Sequence, residues 1–221
     1  MGEITIDSVV KVDVHAPLYF KSIQEGNGIT PDVILSSLSP EFNRDMVFKA
    51  GEGAGASGSF FFFSHDRKFI IKTMTDDELH FFLKILPNYE LHLKENPDSI
   101  ISRLYGVYTI RMEKIATVHL MLMSNTLKFR NADAIERIFD LKGSTVSREV
   151  KINASTKQTA TLKDTNYLKI QKQDEIFQFM KEDNIRIRRV LAADVKFLKD
   201  HGIMDYSLLL SAERYSANTV K

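Results

Sequence analysis

Four glycines stand within eight residues in the segment GEGAGASGS, residues 51–59. This density of glycine excludes the interior of a helix or a strand, because glycine loses more backbone entropy on ordering than any other residue. The apolar runs SFFFF and FIIKTM follow, separated by the polar segment SHDRK. These runs predict a β-hairpin whose first strand comes directly after the glycine loop.

Gly53, Gly55 and Gly58 have the spacing G-x-G-x-x-G, which two classes of nucleotide-binding protein share. In dinucleotide-binding folds the loop opens a helix, whose N-terminus holds the pyrophosphate. Here four phenylalanines follow and favour a strand, and the next strand carries Lys72. A glycine loop between strands, followed by a strand lysine, is the arrangement in which kinases hold ATP phosphates. A flexible turn beside a solvated lysine is the alternative.

Glu78 lies six residues after Lys72, in the segment DDELHFFLKILPNYELHLKEN. The apolar residues of this segment repeat with the helical period, and Asp76 and Asp77 suit the first turn of a helix. We expect a helix here that Pro87 breaks or kinks. A glutamate in its first turn is placed to pair with Lys72 and to hold the ammonium group.

A second cluster of charge lies between residues 140 and 173. Its seven cations are Lys142, Arg148, Lys151, Lys157, Lys163, Lys169 and Lys172. Its three anions are Asp140, Glu149 and Asp164. The whole chain has a net charge of only +1, so this basic excess is local. It predicts an anionic second substrate or an anionic membrane, with a solvated charged loop as the alternative.

Asp205 stands in the segment IMDYSLLL, between the end of a predicted helix and an apolar strand. A carboxylate at such a junction can accept the proton of an attacking hydroxyl group. An aspartate that only ends the helix or caps a turn is the alternative.

The remaining periodicities define the fold class. TPDVILSSL predicts a helix with Thr30 as N-cap and Pro31 at its first position. ISRLYGVYTIRM, TVHLMLMSN, a segment near Ile138 and DYSLLLSAE predict strands. DEIFQFMKEDN and IRIRRVLAADVKFLKDHG predict helices, the second ending at Gly202. The apolar stripe of the second helix is Ile187, Leu191, Val195 and Leu198. This order indicates an α+β fold with largely antiparallel sheets.

The segments GASGS, FIIKT, DLKGSTVSRE, TLKD and IMDYSLL, in this order and at these spacings, closely resemble the phosphatidylinositol phosphate kinase family. The similarity runs from about residue 15 to residue 212. The glycine loop is more similar to the type I enzymes, and STVSRE is more similar to type II. The resemblance implies a two-lobed kinase-like α+β fold in which helices flank antiparallel sheets. The N-terminal lobe would comprise residues 1–127 and an incomplete C-terminal lobe residues 128–221.

The resemblance also implies roles for individual residues. Lys72, supported by Glu78, would contact the ATP phosphates, and Asp205 would be the catalytic aspartate. The implied phosphate loop consists of Gly55, Ser57, Gly58 and Ser59. Adenine would meet the chain at Asn125 and Thr126. The phosphate of the lipid headgroup would bind Lys142 and Arg148.

The implied activity is ATP- and Mg²⁺-dependent phosphorylation of a phosphatidylinositol monophosphate, of the 4-phosphate 5-kinase or 5-phosphate 4-kinase type. The partners would be a phosphoinositide in an anionic membrane, ATP and a second copy of the chain, with no nucleic acid. The sequence has no cysteine, no secretory leader and no membrane-spanning run. We therefore expect a cytoplasmic protein, peripheral on the cytosolic face of membranes.

The metal ligands are not assigned by the resemblance. Members of the family continue past MDYSLL to an IID segment whose aspartate holds magnesium, and this sequence ends at Lys221 without one. The alternatives are therefore a fragment of a lipid kinase and a pseudoenzyme that binds phosphoinositide or nucleotide. A protein kinase is disfavoured because HRD and DFG are absent. A dinucleotide oxidoreductase is disfavoured because the glycine loop opens no helix.

Overall fold

The computed structural model describes residues 10–44, 59–127, 135–153, 155–156, 160–174 and 177–213. The chain divides into two compact units on either side of the bond between Asn125 and Thr126. Each unit contains its own β-sheet, with five strands in the first and three in the second. We refer to them as the first unit and the second unit.

The strands of the first unit are β1 Val10–Val14, β2 Phe61–Phe63, β3 Phe69–Met74, β4 Leu104–Met112 and β5 Ile115–Ser124. They pair antiparallel in the order β1-β4-β5-β3-β2. The helices are α1 Pro17–Gly26, α2 Pro31–Leu38, α3 Pro40–Asn43 and α4 Asp76–Glu95. Because β3 lies between β5 and β2, the strand that carries Lys72 is inside the sheet and not at its edge.

Several local predictions for the first unit are confirmed. The hairpin of β2 and β3 and the strands β4 and β5 form where the apolar runs place them. The Thr30 side chain accepts a hydrogen bond from the Val33 amide, at 3.3 Å, and Pro31 is the first residue of α2. These features depend on neighbours in sequence, which explains why the pattern predicts them.

Helix α4 runs without interruption through Pro87, so this residue does not break the helix; the alternative of a kink stays a prediction. A proline inside a helix removes one main-chain hydrogen bond and costs roughly 3 kcal/mol. The buried apolar side chains on its two sides are Leu79, Phe82, Ile85, Leu86, Tyr89 and Leu93. Each buried leucine alone contributes about 1.5–3 kcal/mol, so packing of the two halves outweighs the loss at the proline.

The strands of the second unit are β6 Ile135–Leu141, β7 Thr161–Leu162 and β8 Leu208–Glu213. Strand β6 is central; it pairs parallel with β7 and antiparallel with β8. The helices are α5 Asp164–Asp174 and α6 Lys181–Asp200. Phe139 on β6 is almost completely buried and forms the centre of this unit's core.

The predicted helix over residues 174–184 is confirmed only at its ends. Asp174 is the last residue of α5 and residues 181–184 open α6, but residues 177–180 are not helical. The reason is the aromatic cluster around Phe177, whose ring lies 6.1 Å from the rings of both Phe139 and Tyr167. Burial of this ring against β6 therefore holds the segment in a non-helical path that its own residues do not favour.

Helix α6 is present and ends as predicted, and three residues of its apolar stripe, Ile187, Leu191 and Leu198, are half-buried. The Gly202 amide donates to the Lys199 carbonyl, and Gly202 has a φ of 67°, which fits a helix C-cap. Val195 is 41% exposed, whereas the buried residues of this helix are Asp194 and Phe197. Periodicity therefore located the helix and most of its packed face, but not the two residues that are most buried.

The fold class is α+β, as predicted, with helices beside sheets that are antiparallel except for the β6–β7 pair. Within the described ranges no helix combines the length and the apolar composition that crossing a bilayer requires.

Candidate active site

In the first unit, the junction of β3 and α4 positions Glu78. Thr75 is the N-cap of α4, and its side chain accepts from the Glu78 amide at 3.2 Å. In return, the Thr75 amide donates to Glu78 Oε2 at 2.8 Å, which completes a capping box. The other oxygen, Oε1, then lies 3.8 Å from Lys72 Nζ. The ion pair is therefore set by the start of the helix, with one carboxylate oxygen for the cap and one for the lysine.

Lys72 stands opposite Phe61 on β2 and opposite Met121 on β5. Its ammonium nitrogen lies 5.9 Å from the centre of the Phe61 ring, and its side chain is 22% exposed. An aromatic face and a carboxylate both attract an ammonium group. Lys72 is thus a partly buried cation with enough exposure to meet an anionic ligand.

Most of the implied phosphate loop, Gly55, Ser57 and Gly58, lies outside the described residues. The chain is described again from Ser59, and Phe60 is tied to β3 at Thr73. The Phe60 amide donates to the Thr73 hydroxyl at 2.9 Å, and the Thr73 amide donates to the Phe60 carbonyl at 3.0 Å. The end of the glycine segment is therefore anchored beside the residue that follows Lys72.

Asn125 follows β5 and contacts the turn between β2 and β3. Its main-chain amide donates to the Lys68 carbonyl at 2.8 Å, and its side-chain amide donates to the Arg67 carbonyl at 2.8 Å. These two donors are used inside the first unit, so they are not free for a ligand. Contact of Asn125 and Thr126 with adenine stays a prediction.

In the second unit, strand pairing brings distant residues to one edge of the sheet, namely the edge formed by the carboxyl ends of β6 and β7 and the start of β8. Leu141, at the end of β6, pairs with Leu208, at the start of β8. Lys142 and Asp205 therefore project from the same edge. Strand β7 runs parallel to β6, so its carboxyl end lies at that edge too, and it leads directly to Asp164. Three segments that are far apart in the sequence meet there.

The ammonium group of Lys142 donates a hydrogen bond to Asp205 Oδ1. The lysine side chain is 30% exposed and the aspartate side chain is 83% exposed. The hydrogen bond from Lys142, together with its charge, lowers the pKa of the Asp205 carboxyl. Asp205 also has a φ of 61°, a left-handed conformation that non-glycine residues rarely adopt. Such conformations are concentrated at functional sites.

Arg148 is largely used within the protein. Its Nε donates to Asp164 Oδ2 at 2.8 Å, and its Nη2 donates to Asp140 Oδ2 at 3.1 Å and to the Asp140 carbonyl. The hydrogen bond to Asp164, followed by that to Asp140, raises the pKa of Arg148. Its side chain is 12% exposed. Arg148 anchors the loop after β6, and its contact with a lipid headgroup stays a prediction.

Asp164 is the residue of this site that the sequence reasoning did not single out. Its Oδ1 accepts from the main-chain amides of Lys142, at 3.0 Å, and Gly143, at 2.8 Å. Burial alone would raise the pKa of this carboxyl, but hydrogen bonds from Arg148 and from these amides lower it to about 2. The available signal was the TLKD segment, one of the blocks that carry the family resemblance.

An open depression of about 550 Å³ lies over these groups. Its lining residues are Lys142, Ser144, Val146, Ser147, Arg148, Asp205 and Tyr206. An ammonium group, hydroxyl groups and a carboxylate thus face one space, which suits a phosphate beside a hydroxyl.

The residues of this site do not fit a magnesium centre. Magnesium prefers several oxygen ligands in octahedral geometry. Asp140 and Asp164 are bound to Arg148, and Asp205 is bound to Lys142. Across the part of the chain that the structure describes, no group of three or more histidine or acidic residues is placed to hold a metal ion.

The chain is similar to several phosphoinositide kinases. A phosphatidylinositol 4-phosphate 5-kinase type-1 beta of Gallus gallus is 34% identical over 204 residues, covering 92% of this chain and 36% of the relative. A phosphatidylinositol 4-phosphate 5-kinase of Plasmodium falciparum is 34% identical over 207 residues, covering 88% and 12%. A type-1 alpha enzyme of Homo sapiens is 34% identical over 197 residues, covering 89% and 33%.

The chain spans 36% or less of the length of these three relatives. A family model described as Phosphatidylinositol-4-phosphate 5-Kinase matches residues 43–221, which is most of the chain. The matched range contains Lys72 and Glu78 of the first unit and the edge of the second sheet with Lys142, Asp164 and Asp205. The chain therefore belongs to the phosphatidylinositol phosphate kinase family.

Proposed function

We propose that this chain carries the nucleotide-binding and headgroup-binding groups of an ATP-dependent lipid kinase that converts a phosphatidylinositol monophosphate into a bisphosphate. The observation that carries the proposal is the ion pair of Lys142 and Asp205 in the depression of the second unit. It places a cation for a phosphate next to a carboxylate for a hydroxyl group. An inositol phosphate headgroup presents both of these groups on one ring.

The pair supports a defined order of events in the second unit. The headgroup phosphate binds the ammonium group of Lys142. This binding frees the Asp205 carboxylate to accept a hydrogen bond from a ring hydroxyl. As the hydroxyl oxygen bonds to the γ-phosphorus of ATP, the bond from that phosphorus to the bridging oxygen of ADP breaks. The hydroxyl proton passes to Asp205. A carboxyl group is ionised at neutral pH and is a weak base, so Asp205 acts mainly by orienting the hydroxyl.

In the first unit, Lys72 would neutralise charge on the ATP phosphates, and Glu78 would hold its ammonium group in place. Gly55, Ser57, Gly58 and Ser59 would supply main-chain amides to the same phosphates, and Asn125 and Thr126 would meet adenine. Bound Mg²⁺ would supply further neutralisation of the phosphates in this chemistry.

Exposed cations of the second unit also support contact with the cytosolic face of an anionic membrane. Lys151, Lys169 and Lys172 are exposed on the part of the chain that follows Lys142. Each cation near an anionic bilayer contributes about 1 kcal/mol, screened over roughly 8–10 Å.

In the first unit, β1 is an edge strand whose Val10, Val12 and Val14 are 48%, 53% and 55% exposed, which supports the proposal of a homodimer through this strand.

A second candidate is a binding module that holds phosphoinositide or nucleotide without phosphoryl transfer. The observation that favours it is the use of Asp140, Asp164 and Asp205 in ion pairs, so that the described carboxylates at this edge are not arranged for a metal.

Binding to vesicles and label transfer separate these candidates. The chain should sediment with phosphatidylcholine vesicles that carry phosphatidylinositol 4-phosphate or 5-phosphate, and less with phosphatidylcholine alone. Lys142→Met should remove the preference for the phosphorylated lipid. Lys196→Met, which removes a surface cation paired with Asp200 on α6, should keep it.

Transfer of radiolabel from ATP to the lipid, lost in Asp205→Asn, would identify the kinase. Preferential binding without transfer would identify the binding module. Equal sedimentation with both kinds of vesicle would contradict both candidates.

A further inference from the structure

We infer that Asp164 is a positioning residue that lies beneath the depression. Together with Asn166 it fixes the loop of residues 142–150, and so it holds Lys142 where an anionic ligand meets it. Its link to ligand binding rests on the proposed function, whereas its effect on the loop does not.

The carboxylate of Asp164 is directed entirely at this loop. One oxygen accepts from the amides of Lys142 and Gly143, and the other accepts from Arg148 Nε. Asp164 is 7% exposed, so it lies below the surface formed by the side chains of Lys142 and Arg148. With three donors bound and little exposure, it is not placed to contact a ligand or to exchange a proton with one.

The first turn of α5 continues this contact along the loop. Asn166 Oδ1 accepts from the Val150 amide at 2.9 Å, and its Nδ2 donates to the Val150 carbonyl at 2.8 Å. Between them, the Thr165 amide donates to the Arg148 carbonyl at 2.9 Å. Asn166 is 3% exposed. Three successive residues of α5 thus bind the loop much as a neighbouring strand would.

The backbone of this loop turns twice through the left-handed region. Gly143 has a φ of 72° and Ser147 has a φ of 55°, both in the left-handed region. Glycine adopts this region readily, whereas a serine there persists only where surrounding contacts hold it. The two amides that Asp164 binds belong to Lys142 and Gly143, at the first of these turns. The position of the Lys142 side chain therefore depends on a carboxylate that it does not itself contact.

Amide hydrogen exchange on the free protein tests the effect on the loop. In Asp164→Ala the Gly143 amide should exchange at least about tenfold faster, because it loses a charged acceptor. Asp164→Asn retains an oxygen for the two amides and should restore much of the protection. Asp200→Asn is the matched control, since Asp200 pairs with Lys196 on the surface of the same unit. Unchanged exchange in Asp164→Ala would overturn the inference.

A double-mutant cycle on vesicle binding tests the link to Lys142. Asp164→Ala should weaken binding to vesicles carrying phosphatidylinositol 4-phosphate about tenfold in the wild-type background. It should have no further effect in a Lys142→Met background, because the two changes remove one contribution. A merely structural role would weaken binding equally in both backgrounds, and that result would overturn the link.

Two outcomes separate this inference from the proposed function. If the wild-type chain shows no preference for the phosphorylated lipid, the proposed function fails, and amide exchange alone decides the role of Asp164. If Asp164→Ala does not fold, Asp164→Asn is the test variant: its Arg148 faces an amide instead of a carboxylate. In this variant the Arg148 Nε proton should exchange faster and vesicle binding should weaken, and wild-type values of both would then overturn the inference.

Discussion

Lys142 and Asp205 are 63 residues apart in the sequence, yet the ammonium group of one donates a hydrogen bond to the carboxylate of the other. They meet because Leu141 pairs with Leu208, which places the residue after β6 and the residues before β8 at one edge of the sheet. Each group then screens the charge of its partner. An anionic ligand must compete with Asp205 for the ammonium group, so the two residues have opposite effects on ligand binding.

Asp205→Asn should therefore bind anionic vesicles more tightly while losing phosphoryl transfer. The change removes the competitor for Lys142 and adds one positive charge, which near an anionic bilayer changes affinity roughly fivefold. Sedimentation with vesicles containing phosphatidylinositol 4-phosphate measures the first effect. Asp200→Asn adds the same charge elsewhere on the second unit and controls for it. Weaker binding by Asp205→Asn would show that the carboxylate supports the ligand instead of competing with it.

Lys72→Met should reduce ATP affinity by about tenfold or more without unfolding the chain. The substitution removes the cation but keeps an unbranched apolar stem of similar length beside Phe61, so the sheet should remain intact. Titration calorimetry measures the affinity, and circular dichroism checks the fold. Lys84→Met, on the exposed side of α4, is the control and should bind ATP as the wild type does. An intact variant with wild-type affinity would remove Lys72 from the nucleotide site.

Gly143→Ala should destabilise the second unit by about 1–2 kcal/mol. An added methyl group meets no atom within 4 Å, so the cost comes from the left-handed backbone, with a φ of 72°. Gly26→Ala is a matched control: it also meets no atom, and Gly26 is not in the left-handed region. That variant should be neutral or slightly stabilised. Denaturant unfolding measures both, and equal midpoints would mean that the turn relaxes freely.

In Asp164→Asn the free energy of unfolding should fall less steeply with decreasing pH than it does in the wild type. The folded-state pKa of Asp164 is about 2, below its ordinary value of 3.8. A carboxyl with a lowered pKa stabilises the folded protein above the unfolded-state pKa, and that contribution is lost as the pH falls from about 4 towards 2. Chemical unfolding at several pH values in this window measures the slope. Asp183→Asn, an exposed change on α6, should leave the slope near that of the wild type.

Much of the first unit follows from short-range patterns. The hairpin of β2 and β3, the cap of α2 at Thr30 and the pair of strands β4 and β5 all depend on residues close in sequence. The Lys72–Glu78 contact is similar, because six residues of strand and capping box connect the two side chains. Predictions failed where distant packing decided the outcome. Helix α4 continues through Pro87, and the Phe177 ring packs against Phe139 and Tyr167 where residues 177–180 are not helical.

The sequence by itself determined the family, the α+β class, the glycine segment with its strand lysine, and the residue types around Lys142 and Asp205. Only the tertiary structure decided which of these groups touch. Arg148 carries a charge that suits a phosphate, yet its guanidinium is bound by Asp140 and Asp164. Asp164 gave no local signal of its role, because the amides it binds lie 21 and 22 residues away along the chain. Hydrogen bonds depend on distance in space, and β6 between β7 and β8 sets those distances.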